Sequence, residues 1–86
     1  MIGVLSQMAN HDDFTKTQLE KIGQRIKAIR IAQGYTSYEQ FAHDQGISRM
    51  QYWRYEKGED LRMSSLLKVL KGLNISIKDF FTEGFE

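Results

Sequence analysis

Residues 37–58 read SYEQFAHDQGISRMQYWRYEKG, a stretch that predicts two short helices joined by a tight turn. Thr36 or Ser37 can cap the first helix, because each stands three residues before a Glu or Gln. Ser48 has the same relation to Gln51 and predicts the start of the second helix. Gly46 lies between them and accepts the left-handed backbone that a sharp turn requires.

The predicted second helix, residues 49–57, has an apolar side and a basic, aromatic side. Ala42 is small where this helix would cross the first one, and Ile47, Tyr52 and Tyr55 fall on the inner side. The side chains left facing outward are Arg49, Met50, Trp53, Arg54 and Lys57. This face is typical of a helix that contacts duplex DNA.

Helical periodicity predicts three further helices around this pair. The first has the apolar series Leu19, Ile22, Ile26, Ile29 and Ala32, with a capping box at Thr17 and a stop at Gly34. The fourth has the series Met63, Leu66, Leu67, Leu70 and Leu73, and Asn74 can end it in a left-handed conformation. Ser76 caps a short fifth helix. The expected fold class is all-α, with five helices.

The expected organisation is an N-terminal arm, residues 1–16, followed by one domain, residues 17–86, with the helix pair at about 37–58. The arm has no clear helical period, and we expect it to be flexible or associated with a dimer interface. Its apolar members are Met1, Ile2, Val4, Leu5 and Met8.

Charge is distributed unevenly along the 86 residues. Residues 16–78 hold all 12 Lys and Arg but only six acidic residues, a net charge of +6, whereas the two ends together carry −5. A basic body favours a polyanionic partner. The absence of Cys, of a secretory signal and of a long apolar run predicts a cytoplasmic protein without disulfides or a membrane span.

Several pieces in register resemble the lambda-repressor-like (Xre-type) helix-turn-helix family of bacterial and phage regulators. They are Ile22-Gly23-Gln24-Arg25-Ile26, Ile29-Arg30, Phe41-Ala42, Gly46-Ile47-Ser48-Arg49, Tyr55-Glu56-Lys57-Gly58, residues 66–76 and Phe80-Phe81. The chain departs from the family in having one extra residue between Gly34 and Ala42, a polar Gln45 at a normally apolar position, and three large aromatic residues in the third helix.

The resemblance implies that Arg49, Met50 and Arg54 face base edges in the major groove. It places Ser48, Gln51 and Lys57 nearer phosphates, and Ser37 or Tyr38 takes the place of a phosphate-contacting Gln. Trp53 and Arg62 complete the candidate DNA-binding set. The resemblance also implies a structural ion pair between Arg30 and Glu56.

Three functions fit these residues. The first is a sequence-specific transcriptional regulator, a repressor, that acts as a homodimer through the arm or the region of Phe80, Phe81 and Phe85. The second is an antitoxin of the same fold, with a toxin as protein partner. The third is a protein-interaction module that uses Tyr52, Trp53 and Tyr55.

Trp53 has three possible positions in these hypotheses: stacked on DNA, in contact with a protein, or packed on the loop at Leu61. No catalytic set or phosphate loop is present in the sequence, so we expect no enzyme, no cofactor and no small-molecule effector. His11, Asp12 and Asp13 are adjacent and cannot all converge on one ion, so we expect no metal site.

Overall fold

The computed structural model describes the backbone of residues 2–85 and the side chains of residues 13–85. It contains five helices, and no strand occurs among the described residues. The helices are α1 (Ile2–Ala32), α2 (Tyr38–Asp44), α3 (Arg49–Glu56), α4 (Met63–Gly72) and α5 (Ile77–Phe80). The predicted all-α, five-helix fold is confirmed.

Three of the helices begin at the serines that the sequence marked as caps. The hydroxyls of Ser37, Ser48 and Ser76 accept hydrogen bonds from the backbone N–H groups three residues later, at 3.2, 3.1 and 3.0 Å. These bonds satisfy donors that the first turn of a helix otherwise leaves free. Gly46 (φ 69°) and Asn74 (φ 54°) take the left-handed conformation at the predicted helix ends.

The predicted start of the first helix at Thr17 is wrong, because α1 begins at Ile2 and Thr17 lies in its interior. A Thr caps a helix only where the preceding backbone leaves the helical conformation. Residues 4–16 contain neither Gly nor Pro to interrupt the helix. The division into an arm and a domain stays a prediction, and the side chains of Met1, Ile2, Val4, Leu5 and Met8 lie outside the described residues.

One hydrophobic core joins the helices. Its buried apolar side chains are Ile26, Ile29, Phe41, Ala42, Tyr52, Tyr55, Leu66, Val69, Leu70, Leu73 and Phe80. Three predicted inward residues, Ala32, Met63 and Leu67, are exposed instead. On α4 the buried series runs through Val69, and Leu67 lies about 100° around the helix from its neighbour Leu66.

Two glycines allow unusually close approaches in this core. A Cβ at Gly23 would lie 2.6 Å from the carbonyl oxygens of Tyr55 and Glu56, so α1 and the end of α3 meet backbone to backbone. A Cβ at Gly72 would overlap the side-chain amide of Gln45. Gly72 therefore explains how a polar Gln45 fits at a position where the family usually has an apolar residue.

Candidate nucleic-acid interface

The turn between α2 and α3 is closed by the backbone. The N–H of Ile47 donates to the carbonyl of Ala42 at 2.9 Å, and Gly46 supplies the positive φ between them. Ala42 is fully buried, so nothing larger than its methyl group separates α2 from the rest of the fold at this point. The predicted helix pair is present with its turn at the predicted residue.

Two tyrosines hold α3 against the core. Tyr52 and Tyr55 are both buried, and the ring of Tyr52 packs 5.2 Å from that of Phe41, centre to centre. The interaction module that uses Tyr52, Trp53 and Tyr55 is therefore wrong for the two tyrosines, because Tyr52 is fully buried and Tyr55 is only 5% exposed. Their i, i+3 spacing places both on the inner face of α3.

The opposite face of α3 is exposed and carries the predicted basic and aromatic residues. Arg49, Met50, Trp53, Arg54 and Lys57 are all exposed. Met50 and Trp53 are 60% and 38% exposed to solvent. This is a large exposed apolar area on a helix face that also carries cationic side chains. A core role does not explain this area.

The remaining predicted DNA-binding residues lie at both ends of this face. Ser37, Ser48, Gln51 and Arg62 are exposed, and Tyr38 is half-buried at the start of α2. Gln51 and Arg62 line one hollow together with the first turn of α4. Ser37 and Ser48 each accept one capping hydrogen bond through the hydroxyl oxygen, so their hydroxyl hydrogens remain to donate to a ligand.

Carboxylates accompany both arginines of the exposed face. Arg49 Nη1 lies 3.4 Å from Glu39 Oε2, and Arg54 Nε lies 4.0 Å from Glu59 Oε1. All four side chains are half exposed or more, so these pairs are weak and exchange readily with other anions. Neither pair follows from a local pattern in the sequence, because Glu39 lies in α2 and Glu59 lies in the loop after α3.

Trp53 lies between two hollows on this face. It lines one with Tyr38, Arg49 and Met50, and Lys57 Nζ stands 5.4 Å from the centre of its ring. Leu61 lines a different hollow, and the packing of Trp53 on the loop at Leu61 stays a prediction. Tyr38 lines both of these hollows together with Trp53.

Beneath the face, Arg30 and Glu56 form a buried ion pair. Arg30 Nε and Nη2 donate to the two carboxylate oxygens at 2.6 and 3.2 Å, and the two side chains are only 4% and 8% exposed. Arg30 also donates to the Tyr35 carbonyl, and the Tyr52 hydroxyl donates to Glu56 at 2.5 Å. This network ties α1, α3 and the loop before α2 together.

Burial and the contacts with Glu56 together shift the pKa of Arg30 and the pKa of Tyr52. Burial alone would lower the pKa of Arg30, but the hydrogen bond and charge of Glu56 outweigh it, and the pKa is raised. Burial, assisted by the hydrogen bond to Glu56, raises the pKa of Tyr52 above its ordinary value of 10.0. Both groups therefore hold their protons firmly at neutral pH.

Two contacts of this region were missed in the sequence. Tyr52 and Glu56 are four residues apart on α3, a spacing at which side chains meet, and this signal would have found their hydrogen bond. Arg25 donates to the carbonyls of Phe80 and Asp79 at 3.1 and 3.2 Å, across more than fifty residues of chain. No local sequence pattern predicts a contact between residues so far apart in the chain.

Residues 13–85 hold no group of three or more His, Asp or Glu side chains arranged for a metal ion. None of the described helices combines the length and the hydropathy that crossing a bilayer requires. His11 and Asp12 lie outside the described side chains.

A helix-turn-helix family model, HTH_3, matches residues 26–80, nearly two thirds of the chain. The match runs from the second half of α1 to the last residue of α5 and contains the whole interface described above. No curated protein and no solved structure matches the chain significantly. Domains of this family are typically non-catalytic, and they point to DNA binding and transcriptional regulation. The chain belongs to the lambda-repressor-like (Xre-type) helix-turn-helix family.

Proposed function

We propose that this protein is a sequence-specific, duplex-DNA-binding transcriptional repressor that inserts α3 into the major groove. One observation carries the proposal: α3 buries Tyr52 and Tyr55 and presents Arg49, Arg54 and Lys57 to solvent on a single face. A major groove about 12 Å wide admits one such helix. We call this exposed side the recognition face.

The two arginines are the proposed base contacts. A guanidinium presents a planar pair of donors that match O6 and N7 of guanine, so each arginine can select that base. In the free protein each lies within 4.0 Å of a carboxylate, Glu39 or Glu59. Binding therefore exchanges a weak protein ion pair for a base contact.

The proposed phosphate contacts surround the recognition face. Lys57 follows the last residue of α3, where a point charge reaches the backbone of any sequence. Ser48 and Gln51 lie at the start of α3, Ser37 and Tyr38 at the start of α2, and Arg62 at the start of α4. Three helix starts directed at one groove would supply backbone N–H groups as well as side chains.

We propose that the repressor acts as a homodimer, because one recognition helix covers only half of a typical operator. The region around Phe80, Phe81 and Phe85 supports this. The three rings form a cluster, with centres 4.9 to 5.9 Å apart, and Phe81 remains 38% exposed. Sedimentation at micromolar concentration, with and without operator, tests the dimer, and a monomer in both samples would refute it.

Binding of a labelled duplex, followed by fluorescence anisotropy across a salt series, tests the proposed function. Arg54→Ala should weaken binding to the preferred duplex by about 1–3 kcal/mol and change binding to random duplex little. Lys57→Ala should weaken both duplexes alike and reduce the salt dependence by about one ion. Lys71→Ala, in the last turn of α4, is the control and should change neither.

Equal losses on both duplexes for Arg54→Ala would exclude base selection by this residue. If the wild-type chain binds no duplex in a salt-dependent way, the repressor proposal fails. The antitoxin hypothesis stays a prediction. A protein partner whose binding is lost in Trp53→Ala, while neither DNA variant has any effect, would favour a protein-interaction module in which Trp53 makes the contact.

A further inference from the structure

We propose that the hollow lined by Tyr38, Arg49, Met50 and Trp53 holds the 5-methyl group of a thymine in the major groove. We call this hollow the methyl seat. The inference rests on the proposed function, duplex-DNA binding through the recognition face, and adds one specific base preference to it.

The walls of the methyl seat come from both helices of the pair. Tyr38 lines it from the start of α2, and Met50 and Trp53 line it from α3. The hollow has a volume of about 200 Å³. This exceeds the about 30 Å³ that one water molecule occupies in the liquid, so a methyl group and the ring edge that carries it fit without displacing the walls.

The exposure of these walls indicates an occupant outside the chain. Met50 keeps 60% of its surface in contact with solvent although Tyr38 and Trp53 stand beside it. Apolar surface left in water is unfavourable and gains free energy when a partner covers it. Among the base edges shown in the major groove, the 5-methyl of thymine is the apolar group.

The charge around the methyl seat selects DNA over an apolar protein surface. Arg49 forms one wall, and the ammonium of Lys57 stands over the ring of Trp53. A duplex presents phosphates to these cations and a methyl group to the hollow at the same time. An apolar protein surface would leave both cations desolvated without a counter-charge.

The order of side chains along α3 also fixes where the thymine lies. Met50 and Trp53 stand between Arg49 and Arg54 in the sequence of the helix. We therefore expect the thymine to lie between the base positions that the two arginines contact.

Replacement of thymine by uracil in the preferred duplex tests the methyl seat, because it removes only the methyl group. The preferred duplex is first obtained by repeated selection from random duplexes with the full chain. Each thymine is then replaced singly, and binding is measured by anisotropy. We expect one position in each half-site at which uracil weakens binding about fourfold, equivalent to about 0.8 kcal/mol for one buried methyl group.

Met50→Ala and Met63→Ala form a matched pair of variants. Both methionines are exposed, at 60% and 62%, so neither change should impair folding, but Met63 lies at the start of α4 and does not line the methyl seat. Met50→Ala should bind the thymine and uracil duplexes equally. Met63→Ala should keep the fourfold difference.

The outcomes separate the methyl seat from the proposed function. If binding is selective and salt-dependent but no uracil substitution weakens it, the methyl seat is wrong and the repressor proposal stands. The same conclusion follows if Met50→Ala lowers affinity for both duplexes and leaves their ratio at fourfold. If no duplex is preferred over any other, both the repressor proposal and the methyl seat are overturned.

Discussion

Removal of the Arg30 guanidinium should destabilise the protein far more than removal of an exposed arginine. In Arg30→Met the Glu56 carboxylate, 8% exposed, keeps the Tyr52 hydroxyl but loses both hydrogen bonds to the guanidinium. A buried charge that loses its partner costs about 3–5 kcal/mol. For a domain of this size each kcal/mol lowers Tm by about 4–8 °C, so we expect a fall of at least about 12 °C.

Arg54→Met is the matched control, because Arg54 is half exposed and lies 4.0 Å from Glu59. An exposed pair of this kind contributes about 0–1 kcal/mol, so its Tm should fall by a few degrees at most. Urea unfolding followed by circular dichroism gives the free energies of unfolding for both variants. A double variant, Arg30→Met with Glu56→Leu, should recover part of the loss because no buried charge remains.

Equal, small losses in Arg30→Met and Arg54→Met would refute the structural role of the buried pair. The structural role would also be refuted if the loss in the double variant equalled the sum of the losses in Arg30→Met and Glu56→Leu measured singly. Changes at independent residues are additive, whereas changes at coupled residues are not. The recovery should be incomplete, because the Tyr52 hydroxyl and the Tyr35 carbonyl also lose their partners.

Three further predictions concern other contacts. The pKa of Tyr52 is raised in the fold above its ordinary value of 10.0, so the neutral hydroxyl contributes its full stabilisation below pH 10.0. This stabilisation is lost as the pH rises further, because Tyr52 ionises in the unfolded chain before it ionises in the folded one. The difference in unfolding free energy between wild type and Tyr52→Phe should therefore narrow above about pH 10, by up to about 1.4 kcal/mol per pH unit. A constant difference across that range would contradict the raised pKa. Gly72→Ala should lower Tm, because the new methyl group overlaps the side chain of Gln45. Adding Gln45→Ala to the same chain should restore most of the lost Tm. A double variant with no recovery would show that the overlap with Gln45 is not the cause of the loss. Glu39→Gln should strengthen binding to random duplex in anisotropy assays, because it frees Arg49 from its 3.4 Å partner and removes a negative charge; unchanged affinity would show that the pair does not compete with DNA.

Local signals in the sequence predicted the helix pair well. A serine three residues before its backbone partner, a glycine at the turn and tyrosines spaced by three residues are all features within one or two helical turns. Their physical effect does not depend on distant parts of the chain. The inward and outward faces of α3 follow from them directly.

Features that depend on distant residues were not predictable in this way. Thr17 has the form of a cap, but only the conformation of the preceding backbone decides whether it acts as one. Leu67 continues an apolar series, yet Val69 occupies the core because packing against the other helices sets the rotation of α4. Gln45 fits because a glycine 27 residues away leaves space for its amide.

The backbone contact at Gly23 has a mechanical consequence for the recognition face. Helices usually meet through interlocked side chains, which can change rotamer and let one helix slide over the other. At Gly23 no side chain of α1 intervenes, and the carbonyls of Tyr55 and Glu56 rest directly on the helix. The Arg30–Glu56 pair fastens the same end of α3 two turns further along α1. α1 thus helps to set the direction in which α3 points, and a tilt of α1 would move the end of α3 and the recognition face with it.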